Sequence, residues 1–151
     1  METLGPIQLT LERDLQFSVD FGLAGVASLR TDAPPPLGSA SGPDSEMLLM
    51  AAVANCLAGS LSFFLRKFQN RDVSVRASAQ GQMQPNERGR QRICSIAVDI
   101  RLGAAAAQFR MLERALSQYE DFCVVTQSVR AGIPVTVRVF DSQGTLLAPG
   151  A

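Results

Sequence analysis

Three cysteines, Cys56, Cys94 and Cys123, are the side chains best suited to chemistry in this 151-residue chain. The chain has no histidine. That excludes Ser-His-Asp triads, Cys-His dyads, histidine-ligated metals and histidine proton shuttles. Of the 14 basic residues, all but Lys67 are arginine. A thiol is a nucleophile only as thiolate, and a free cysteine ionises near pH 8.5. Any charge that stabilises a thiolate here must therefore come chiefly from arginine, which stays charged when buried. No two cysteines have Cys-x-x-Cys spacing, so no metal site is expected. Sparse cysteines in odd number do not make a secreted disulfide scaffold. Taken singly, Cys56 and Cys123 read equally as reactive thiols or as small core residues, and Cys94 reads as structural.

The elements that must position these residues follow from periodicity. Residues 7–21 alternate loosely and predict two strands meeting near Arg13 and Asp14. Residues 23–29 predict a third short strand. Residues 33–43 hold Pro34, Pro35, Pro36, Gly38, Gly42 and Pro43 and predict a loop. Asp44 or Ser45 can cap a long helix over about residues 46–68, with Glu46 in its first turn and Cys56 in its interior. A clean alternation from Val73 to Gln80, a turn at residues 85–89 and a return strand over 92–102 predict a hairpin. In that return strand Cys94 shares parity with Ile96, Val98, Ile100 and Leu102. Residues 104–119 predict a helix. A further helix holding Cys123 ends at Gly132, a strand covers 133–140, and 142–151 reads as a loose tail. The order predicts a single α+β domain over residues 1–151.

Composition narrows the partners. Basic and acidic residues balance at 14 each, which argues against nucleic acid or an anionic membrane as a partner. Arg88, Arg90 and Arg92 read as a solvated turn. The N-terminal segment has no basic residue before an apolar run and does not read as a signal peptide. Residues 47–65 are apolar enough to consider as a membrane span, but they read as a buried core helix of a soluble, cytoplasmic protein.

Two segments carry a family resemblance. DSEMLLMAAVANC (residues 44–56) resembles the first cysteine motif of the osmotically inducible protein C and organic hydroperoxide resistance (OsmC/Ohr) family. YEDFCVVTQSVRAGIPV (residues 119–135) resembles its second. The likeness runs from about residue 9 to 141. Departures are Ser45 and Val124, where many relatives have proline, and Asn55, where many have a small residue.

The resemblance implies an OsmC-like fold, with antiparallel sheets around long central helices in an intertwined homodimer. It implies a thiol peroxidase for organic hydroperoxides, with Cys56 attacking the peroxide and Cys123 resolving the product as a disulfide. It implies a dithiol reductant, such as a lipoyl protein, and no cofactor. It pairs Glu46 with an N-terminal arginine, best matched by Arg13, with Arg30 as the competing choice. The alternative is a non-catalytic thiol- or ligand-binding dimer on the same fold. Leu57, Phe63, Phe64 and Phe122 would favour an alkyl or fatty-acyl peroxide, although Phe63 and Phe64 read first as core. Glu46 stands ten residues before Cys56. In a straight helix that is about 15 Å of rise, too far for contact. Either the helix breaks, or Glu46 serves the cysteine of another chain across a twofold axis.

Overall fold

Helix α1 (Ser45–Lys67) begins where Asp44 caps it: the Asp44 carboxylate accepts the Met47 amide at 2.7 Å. This satisfies one of the N–H groups that a helix start leaves without a partner. The computed structural model describes residues 3–148, which form two compact units, one up to Leu48 and one from Leu49 onward. Each is described by itself.

The first unit is a three-stranded antiparallel sheet of β1 (Gln8–Arg13), β2 (Gln16–Asp20) and β3 (Leu29–Thr31), in that order. Asp14 turns the β1–β2 hairpin with φ +47°, a left-handed value that Asp tolerates. Arg13 and Gln16 face each other as its closing pair, beyond a bulge in β1. The third strand lies later than the 23–29 expected from apolar content. Only Leu29, Arg30 and Thr31 find ladder partners on β2, and pairing overrides propensity. Val19 is buried here, but the other buried side chains, Gln16, Thr31 and Asp32, are polar. The 33–43 loop folds tightly onto the end of β3. A Cβ on Gly38 would lie 2.3 Å from an Asp32 carboxylate oxygen, and one on Gly42 would lie 2.3 Å from the Arg30 carbonyl. Both positions therefore require glycine.

The second unit is a four-stranded sheet of β4 (Val75–Pro85), β5 (Gln91–Leu102), β6 (Val135–Phe140) and β7 (Leu146–Ala148), in that order. β5 and β6 run parallel, and the other two pairings are antiparallel. Val53, Leu57, Leu61, Phe64 and Leu65 of α1 recur at helical spacing. They pack with Ile96, Val98, Ile100 and Leu102 of β5 and Val135, Val137 and Val139 of β6. This is the apolar core.

Four expectations are corrected here. The 104–119 helix is a 3₁₀ turn (Ala106–Gln108) followed by a short helix α2 (Leu112–Leu116), broken at Met111 with φ +52°. Asn70 breaks the run by holding both the amide and the carbonyl of Arg110, at 2.8 and 2.9 Å. The tail is not wholly loose, because β7 pairs with β6; residues 149–151 lie outside the described residues. Cys94 does not share the apolar face. A bulge leaves it without a β4 partner between Ile93 and Ser95, so Ile93 turns to the core instead, and the Cys94 thiol donates to the Gln82 carbonyl at 3.3 Å. Helix α1 is buried on one face only: 33% of its most apolar window is buried, and Met47 and Phe63 are exposed. Length and apolar content alone would let α1 cross a membrane.

Candidate active site

Cys56 sits mid-way along α1, one residue before Leu57, and is half-buried against the apolar core. Cys123 lies between α2 and helix α3 (Val124–Arg130), at the N-cap position of α3, and is fully buried at 0% exposure. The two thiols, 67 residues apart in sequence, are brought close enough for Cys56 to raise the pKa of Cys123, and Cys56 packs against the core that holds Cys123. Both are free thiols. The fold thus joins the two cysteines that the motifs singled out, and keeps Cys94 apart in its bulge.

Burial pushes the Cys123 thiol above its ordinary pKa, and contact with Cys56 adds to the rise. Thr126 opposes it. The Cys123 thiol donates to the Thr126 hydroxyl at 2.9 Å, and that hydroxyl is itself fully buried. Cys123 is therefore held protonated at neutral pH beside a hydroxyl that can turn and donate to its thiolate. Sequence reasoning missed Thr126. Its position three residues into a helix from a capping residue was the available signal.

The segment carrying Cys123 is clamped at both ends. Arg130 pairs with Glu120 at 2.5 Å and also donates to the Val135 carbonyl at 3.0 Å, so it ties the turn before Cys123 to the start of β6. Gln127 donates to the Glu120 carbonyl at 3.1 Å. Tyr119 is fully buried, and its hydroxyl has no hydrogen-bond partner. Burial, reinforced by the Glu120 carboxylate, keeps this phenol neutral far into the alkaline range. The Phe122 ring stacks edge-on against Phe64 with centroids 5.1 Å apart, yet Phe122 is 66% exposed. Phe64 is core, as expected. Phe63 is not, being 61% exposed. Two aromatic rings therefore stand open beside the core that holds the cysteines.

Arg13 and Glu46 belong to the other unit. Arg13 is exposed, and its Nε donates to Gln16 Oε1 at 2.8 Å. Glu46 is exposed in the first turn of α1 and accepts from the Ser45 hydroxyl at 2.9 Å. Among the described residues Glu46 is ion-paired with neither Arg13 nor Arg30. The helix is continuous from Ser45 to Lys67, so its axis separates Glu46 from Cys56 by about 15 Å. Of the two ways Glu46 could serve a cysteine, a break in the helix is removed.

A family model described as OsmC-like protein matches residues 38–138. No curated protein matches the chain in sequence. Solved structures do match it. An OsmC-like protein of unknown function from Vibrio cholerae superposes with a TM-score of 0.69 at 16% identity, covering 92% of this chain and 100% of the other. The organic hydroperoxide resistance protein OhrB of Bacillus subtilis gives 0.64 at 17% identity, covering 89% and 96%. An organic hydroperoxide resistance protein OsmC from Legionella pneumophila gives 0.62 at 17%, covering 91% and 98%.

Proposed function

The chain belongs to the OsmC-like protein family, and from that premise we propose that it is a two-cysteine thiol peroxidase that reduces organic hydroperoxides to alcohols. The observation that carries this reading is the placement of Cys56 against Cys123, both as free thiols, in one apolar core.

In the proposed cycle the Cys56 thiolate attacks the peroxide O–O bond. Its sulfur is oxidised to a sulfenic acid, and the departing alkoxide takes a proton and leaves as alcohol. The Cys123 thiol then attacks the Cys56 sulfur. The sulfenic oxygen leaves as water, taking up the Cys123 proton, and a disulfide forms. An external dithiol, such as a lipoyl group, reduces that disulfide by exchange and is itself oxidised. The raised pKa of Cys123 suits the resolving role, because a buried neutral thiol does not compete for peroxide. The exposed ring of Phe122 favours an alkyl or acyl chain on the peroxide.

Arg13 and Glu46 complete the site in a homodimer. The exposed face of α1 presents Met47, Ala51, Asn55, Gly59 and Phe63 at four-residue steps. A second copy of α1, packed antiparallel across a twofold axis, covers that face and brings Glu46 of one subunit towards Cys56 of the other. The test is turnover of cumene hydroperoxide with a dithiol reductant. The wild-type protein should consume it, faster than hydrogen peroxide, and the Cys56→Ser variant should not. Equal, slow consumption by both proteins refutes the reading.

A further inference from the structure

Arg13 lies on the surface of a hairpin, where an arginine ordinarily samples many rotamers. Here it does not stand free. Its Nε donates to Gln16 Oε1 at 2.8 Å; Gln16 Nε2 donates to Ser41 Oγ at 2.8 Å; and Ser41 Oγ donates to an Asp32 carboxylate oxygen at 2.9 Å. The same oxygen accepts the Ser41 amide at 3.0 Å, the Ser39 amide at 3.1 Å and the Ser39 hydroxyl at 2.8 Å. Gln16 and Asp32 are each 4% exposed.

The chain has one direction. A guanidinium can only donate and a carboxylate can only accept. With the single Ser41 proton committed to Asp32, Ser41 can only accept from Gln16. The Gln16 amide then has one orientation, with its oxygen towards Arg13. A flipped amide would set donor against donor at Arg13 and leave two acceptors facing at Ser41. The hydrogen bonds from Ser41 and Ser39 hold Asp32 ionised well below the usual carboxylate range, so the acceptor end stays fixed at working pH. Among the described residues no hydrogen bond or ion pair takes the Nη groups of Arg13. That edge is the one able to hold an oxygen anion or thiolate with two parallel N–H groups. Arg30, the competing arginine, has no such support among the described residues.

We infer that Gln16, oriented by Ser41 and Asp32, is a positioning residue that presents the free edge of Arg13 to the reacting peroxide. Its kinetic consequence rests on the peroxidase reading, whereas the ordering of Arg13 does not. The loop of residues 33–43 is accordingly a clasp, and its Gly38 and Gly42 permit the close approach that seats Asp32.

The test uses the full-length protein and two readouts. The first is the ¹⁵N order parameter of the Arg13 Nε–H. It should be high in the wild type, fall in Gln16→Leu and Ser41→Ala, and recover in Ser41→Thr. The second is the rate of Cys56 oxidation by cumene hydroperoxide in a single turnover. Loss of one hydrogen bond to the Arg13 guanidinium should slow it about tenfold in Gln16→Leu, and less in Ser41→Ala. The Arg13→Ala/Gln16→Leu double variant should be no slower than Arg13→Ala alone, because Gln16 acts only through Arg13. A mobile Arg13 Nε–H in the wild type overturns the inference whatever the activity. So does a Gln16→Leu rate equal to wild type while Arg13→Ala is slow, or a double variant slowed by the product of both effects. An ordered Arg13 released by Ser41→Ala, in a protein that consumes no hydroperoxide, refutes the peroxidase reading and leaves the clasp standing.

Discussion

The two units of this chain hold their candidate functional side chains by opposite means. From Leu49 onward the cysteines are seated among apolar residues: Cys123 is fully buried with Val53, Leu57 and Phe64 in one core. Up to Leu48 the buried side chains are chiefly Gln16, Thr31 and Asp32, and the candidate arginine is held by a line of hydrogen bonds. The difference follows from what each group needs. In the proposed cycle the resolving thiol stays neutral until it attacks the oxidised Cys56, which burial in apolar surroundings favours. A guanidinium is always charged and needs only a direction, which fixed acceptors supply.

The largest effect expected from this contrast is on the apolar side. Cys56→Ser should abolish hydroperoxide turnover, and Cys123→Ser should leave one fast oxidation with no disulfide, both read by peroxide consumption against total thiol. Next is Thr126→Val. Removing the hydroxyl beside Cys123 should raise the thiol further and slow disulfide formation about tenfold, the value of one hydrogen bond to a charged group. In the wild type the same step should quicken as pH rises past the ordinary thiol range near about 8.5, because Cys123 ionises above it. Stopped-flow measurement of disulfide formation against pH checks both.

On the polar side the expected effect is on stability. The pKa of Asp32 is depressed in the folded protein. Its contribution is therefore present above the unfolded carboxylate pKa of about 4 and lost as pH falls below it. Thermal unfolding should show wild type losing stability on acidification, with Asp32→Asn less stable at pH 7 and flatter towards acid. The smallest effect is at Cys94. Its thiol sits in a strand bulge apart from the other two, and Cys94→Ser should change neither turnover nor the disulfide formed.

The same contrast explains what could be read in advance. Apolar periodicity located α1, the β4–β5 hairpin and β6, since the spacing of Val53, Leu57, Leu61 and Leu65, or of Ile96, Val98 and Ile100, is the core itself. Cys56 came from a motif within α1, and Cys123 from a motif that ends at the first residue of β6. Periodicity misplaced Cys94, because one bulge reverses parity for every residue before it. It missed the break at Met111, which Asn70 imposes from 40 residues away. It could not show the Asp32–Ser41–Gln16 line either. Those residues are ordinary turn and strand types one by one, and only the folded 33–43 loop aligns them.

The central claim is that Cys56 and Cys123 form a redox pair. Its most direct measurement is oxidation of the fully reduced protein with one equivalent of cumene hydroperoxide, followed by peptide mass mapping under non-reducing conditions. The account predicts a single Cys56–Cys123 disulfide, with Cys94 recovered as free thiol. Unselective oxidation of the three cysteines, or a Cys56 still reduced after Cys94 has reacted, would contradict it and favour a thiol- or ligand-binding role for the same fold.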